Sequence, residues 1–149
     1  HLAIVPERKF AVVILTNSDQ GGTLIYPLLD RALSLYLDLD NPKATPVDVP
    51  QDRLQAFAGR YDSALTGAEI TPGEGLLVLQ AFDKGGFPTP DMPPGPPLPP
   101  VRLAFYAEDR VVGLDEPYKD ARGEFLRGPD GRIAWLRVSG RLHRRVDAP

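Results

Sequence analysis

Residues 128–145, "GPDGRIAWLRVSGRLHRR", decide the fold class. Pro129-Asp130-Gly131 is a hairpin signal, because Gly accepts the positive φ that tight turns between antiparallel strands require. Predicted strands flank it at 123–127 and 132–139, and another follows at 141–146. Working back from there, the same texture recurs. Strands are expected at 59–63, 68–71, 76–82, 101–107 and 110–115, separated by the turn signals "TPGEG" and "AEDR". About eight short antiparallel strands in about 95 residues predict a sandwich or a small closed barrel. No internal repeat is evident.

Between two of these strands runs "PTPDMPPGPPLPP", from Pro88 to Pro100. Proline has no N–H to give to a ladder, so the segment is expected to be an extended polyproline II loop. "PLPPVR", Pro97 to Arg102, fits the Pro-x-x-Pro-x-basic pattern of SH3 ligands, a weak and common pattern. Val101, Leu103 and Phe105 alternate as the core face of a strand beginning there, which would tie Arg102 down.

The first forty residues differ. Leu2 to Val5 and Phe10 to Thr16 read as two strands joined by a polar turn at Pro6, Glu7, Arg8 and Lys9. The second is apolar on both faces, which belongs in a sheet covered on two sides. Asn17 to Gly22, including Asp19 and Gln20, are loop formers. Ile25, Leu28, Leu29, Ala32, Leu33 and Tyr36 then lie three or four apart, predicting a helix from Leu24 to Leu39. Thr23 is the expected N-cap, Pro27 fits only in the first turn, and Asn41-Pro42 ends the helix. "NPKATPVDVP", 41–50, reads as a linker.

Composition excludes several classes. A net charge of −3 and a pI near 5.3 give no footprint for nucleic acid. No apolar run approaches the roughly 18 residues that span a bilayer, and no signal peptide is evident. The chain has no Cys, so thiolate nucleophiles, disulfides and Cys-based zinc sites are ruled out. That absence leaves the compartment open. The chain opens at His1 without an initiator Met, which points to a partial or cleaved polypeptide. No cofactor is expected.

"HLAIVPERKFAVVILTNSDQGG" followed by "LIYPLLDRALSLYLDL" resembles the C-terminal part of the penicillin-recognising serine hydrolases, the branch of class C β-lactamases, D-amino peptidases and esterases. "FAGRY" and "GPDGRIAWLRVSGRLHRR" are similar to the lipocalin-like β domain that often follows that catalytic domain. The resemblance implies a mainly β chain, α+β overall. Residues 1–40 would be the last hairpin and helix of the catalytic domain, 41–50 a linker, and 51–149 a lipocalin-like barrel of about eight strands. It also implies that the catalyst lies elsewhere. No Ser-x-x-Lys occurs, since Ser18, Ser34, Ser63 and Ser139 are followed three places later by Gly21, Leu37, Thr66 and Leu142. The chain itself is expected to be inert, its barrel shaping an active site or mediating oligomerisation. The alternative is a stand-alone lipocalin-like module that binds a small molecule.

The remaining candidates are weighed against plainer roles. Tyr61, Phe82, Phe105, Tyr106, Phe125 and Trp135 could line a ligand cavity, but short strands favour a barrel filled by its own side chains. Tyr61, Tyr106, Trp135 and Arg137 are the candidate ligand-binding set. Arg137, Arg141, Arg144 and Arg145 could hold an anion, or form a solvated rim. His1 and His143 are far apart in sequence and fit no metal pattern. The pairs Asp38/Asp40 and Glu108/Asp109 sit where carboxylates are common, at a helix end and a turn. Gly21-Gly22 is a phosphate cradle only weakly, without a following Lys-Ser/Thr. The expected partners are a second copy, through the N-terminal hairpin and helix, and a missing catalytic domain.

Overall fold

The computed structural model describes residues 1–18, 21–138 and 140–146, with nothing said of the side chains at 22 and 23. The loop assignment at Asp19 and Gln20, the cap at Thr23, the strand end at Ser139 and the chain end at 147–149 lie outside the described residues. The chain divides into two compact units, His1–Lys43 and Ala44–Pro149.

In the first unit, β1 (Leu2–Val5) and β2 (Phe10–Val13) pair antiparallel, with Leu2 opposite Val13 and Ile4 opposite Ala11. A 3-10 turn at Pro6–Arg8 joins them, and Lys9 takes a left-handed conformation, φ 49°. Helix α1 spans Gly22–Leu37. It starts two residues earlier than the pattern predicts, with Gly21 at the N-cap, so Pro27 falls beyond the first turn. It also stops sooner than Asn41-Pro42 suggests. Asp38 adopts φ 53°, and the N–H groups of Asp38 and Leu39 bond back to Ser34 and Leu33. That Schellman closure ends the helix with Asp where Gly is usual. The Arg8 guanidinium donates to the Leu37 carbonyl, a cation at the negative end of the helix.

The second unit is a closed barrel of eight antiparallel strands: β3 (Gly59–Asp62), β4 (Thr66–Pro72), β5 (Leu77–Asp83), β6 (Val101–Ala107), β7 (Arg110–Gly113), β8 (Arg122–Arg127), β9 (Ile133–Val138) and β10 (Arg141–Val146). Each strand pairs with its neighbours in sequence, and β10 closes on β3. Closure removes the open edges that a sheet must otherwise protect. Between β8 and β9 the turn forms as its residues dictate. The Gly131 N–H bonds the Gly128 carbonyl, Gly131 takes φ 78°, and the Asp130 carboxylate accepts the Arg132 N–H.

One element has no counterpart in the β reading of residues from 53 onward. Helix α2 (Gln51–Leu54) runs into a 3-10 turn at Gln55–Phe57. It delivers Leu54 and Phe57, both fully buried, into the barrel core. Phe57, Phe105 and Phe125 meet there, with ring centroids 4.9 Å apart for Phe57–Phe105 and Phe57–Phe125, and Tyr61 lies 5.8 Å from Phe125. Arg145 fastens the short helical segment by donating to the carbonyls of Ala56 and Ala58. The Pro-rich segment is an exposed loop between β5 and β6. It is tied by the Gln80 side-chain amide to the Leu98 carbonyl and by Asp83 to the Gly95 N–H.

Candidate functional site

The four candidate ligand-binding residues do not converge. Tyr61 points into the core, fully buried, and its hydroxyl donates to the Phe57 carbonyl at 2.7 Å. Burial pushes its pKa up to about 12, against the opposing pull of Arg145. Trp135 stands on the outside, 36% exposed, with the Arg144 guanidinium 6.0 Å from its ring. Tyr106 and Arg137 do border one shallow depression of about 360 Å³, with Arg122 and Glu124. Arg122 lies over the Tyr106 ring at 5.5 Å, and Arg137 is paired with Glu124. The charges that could have met a ligand there meet each other.

The arginine cluster is likewise dispersed. Arg137 pairs with Glu124, Arg144 covers Trp135, and Arg145 bonds three backbone carbonyls. Of the acidic pairs, Asp109 is held bidentate by Arg127 at 2.7 and 2.8 Å, an ion pair and not an acid/base couple. Arg102 is bound the same way by Asp115, at 2.7 and 2.9 Å, which removes the basic residue an SH3 partner would read. The His1 ammonium donates to the Ile14 carbonyl, closing the hairpin end.

His143 is the one buried polar residue of the barrel. Its Nε2 lies 3.0 Å from the Thr66 hydroxyl, while Nδ1 has no hydrogen-bond partner. Burial pushes its pKa down, so the ring is neutral at pH 7. Among the described residues no group of three or more His, Asp or Glu side chains could hold a metal ion. No helix is long and apolar enough to cross a membrane.

The largest open feature, missed by the sequence reading, is a groove of about 1120 Å³ along the outer wall of β3, β9 and β10. Its charged lining includes Arg60, Asp62, Glu69, Arg132 and Arg144, beside Trp135. Asp62 is neutralised within it by Arg60 and Lys84, both at 3.1 Å. The groove gathers residues from strands far apart in sequence, so only closure of the barrel reveals it.

No family model matches the chain, and no curated protein matches it. Two solved structures share its fold. One, described as SurE with D-Leu, is 24% identical with a TM-score of 0.51; the other, described as SurE, is 23% identical with a TM-score of 0.50. In each case the match covers 87% of this chain and 28% of that one, so the chain spans little more than a quarter of their length. That likeness is one of fold. It corrects the expected family: the neighbours carry the name SurE, and neither is described as a β-lactamase, a D-amino peptidase or an esterase. An apolar hairpin followed by an amphipathic helix meets the burial needs of any covered sheet, so those residues could not single out one family. The serine-hydrolase function assigned to a parent protein is withdrawn with that family, and so is the lipocalin-like carrier, whose cavity the aromatic core occupies.

Proposed function

We propose that this chain is a structural part of a longer SurE-like protein, serving as a packing and assembly unit and not as a catalyst or a small-molecule carrier. The observation that carries this is the filled barrel. Phe57, Tyr61, Phe105 and Phe125 occupy the interior where a carrier would keep its cavity. Support also comes from the extent of the fold match. At 87% of the chain it exceeds what the barrel unit alone could supply, so it takes in part of the hairpin and helix as well. The D-Leu named with one SurE structure is a ligand of that protein; in this chain the barrel interior has no room for it.

The test is a titration of the isotope-labelled chain, by NMR, with D-Leu and separately with a fluorescent fatty acid. Neither should produce saturable shifts at Tyr61, Phe105 or Phe125. Saturable shifts at those three residues with either probe would overturn the proposal.

A further inference from the structure

The first unit leaves one sheet face uncovered, and we infer that a second copy of the chain covers it. The register of β1 and β2 sorts their side chains cleanly. Ala3, Val5, Phe10 and Val12 share one face and are half-buried; Phe10 meets Tyr36 of α1 with ring centroids 5.9 Å apart. Leu2, Ile4, Ala11 and Val13 share the other. There Leu2, Ile4 and Val13 are 58%, 59% and 61% exposed, and Leu15, which continues the same parity, is 85% exposed. No charged residue interrupts this face within the strands, and neither strand contains a proline or a lysine to guard its open edge.

The helix offers a rival surface. Leu24, Leu28 and Leu35 form an exposed stripe on its outer side. Arg31 lies in the middle of that stripe, so burying it would desolvate a cation without a partner. The sheet face carries no such cost. Its exposed apolar area is on the order of 500 Å² per copy, so two copies would bury about 1,000 Å², the size at which a specific interface becomes tenable. Because the face is made of one short hairpin, a two-fold axis through it sets like residues against each other and closes the assembly at two. This inference concerns the first unit alone and stands or falls separately from the filled barrel.

Light scattering of the whole chain at micromolar concentration is the test. The expected mass is twice 16.3 kDa. Ile4→Lys and Val13→Lys, made separately, should each return the mass to 16.3 kDa, while Val13→Ile and Leu28→Lys should leave the dimer intact. Trp135 is the single tryptophan and lies in the barrel, so its emission shows in every variant that the second unit remains folded. A monomeric parent chain would overturn the inference. So would a dimer indifferent to both lysines, a dimer lost only with Leu28→Lys, or an open ladder of masses.

Discussion

Replacing Phe125 by Ala tests the filled core most directly. Phe125 is 2% exposed on β8 and touches three other rings, with centroids 4.9 Å from Phe57, 5.8 Å from Tyr61 and 6.5 Å from Phe105. A buried Phe→Ala change costs about 3–5 kcal/mol, and a residual void adds about 24 cal/mol per Å³. Each lost ring pair is worth a further ~0.5–1.5 kcal/mol. A closed barrel cannot collapse around the gap without breaking its ladder, so the upper half of that range, about 4–5 kcal/mol, is expected. Urea unfolding followed by Trp135 emission reads this. With a slope of about 1–3 kcal/mol per molar urea, the midpoint should fall by about 2 M or more at unchanged slope. The void should also admit benzene, which the parent barrel excludes. A loss under about 1.5 kcal/mol would mean that Phe125 lines a space already empty, and the filled-barrel argument would fail.

Tyr61→Phe removes the hydroxyl that satisfies the Phe57 carbonyl and should cost about 1–3 kcal/mol, since a buried acceptor is left unpaired. In the parent, an ultraviolet titration should show one of the five tyrosines ionising only near pH 12, and a full complement ionising near 10 would contradict its burial. For His143 the folded ring binds its proton more weakly than the unfolded chain does. Its contribution to stability is therefore present above about pH 6.5 and is lost as pH falls through that value toward the lowered folded pKa. Burial and Arg141 set this direction against the carboxylate of Asp62. A proton NMR titration giving His143 a midpoint above 6.5 would refute it.

The barrel was legible because its signals are local. Turn chemistry such as Pro129-Asp130-Gly131 fixes where strands stop, and the strands at 101–107 and 141–146 fall where expected. The alternation of Val101, Leu103 and Phe105 does mark the core face, each of them buried. The short helix at Gln51–Leu54 was not legible, because four residues carry less than a repeat of the helical period. Its role depends on where Leu54 and Phe57 land, across the barrel from their own sequence neighbours. The end of α1 escaped for a related reason: a left-handed Asp38 is rarer than the Gly that usually signals such a stop.

The candidate site was less legible, and the β-bulges explain two of its four residues. Strict alternation along β9 from the buried Ile133 would send Trp135 inward and Leu136 outward. The ladder with β8 slips there, Leu126 facing Trp135 while Arg127 faces Ile133, so β9 carries one extra residue, Ala134. The slip reverses the parity. Ile133 and Leu136 both enter the core, and Trp135 turns out to meet Arg144. A similar slip between β6 and β7 leaves Tyr106 as the extra residue between Phe105 and Ala107, half-buried beside Arg122. Aromatic type alone could not separate these two from Tyr61, which stays in register and fills the core. What decides between lining a cavity, filling it and facing solvent is a one-residue shift of pairing, and the partner strand sets that shift.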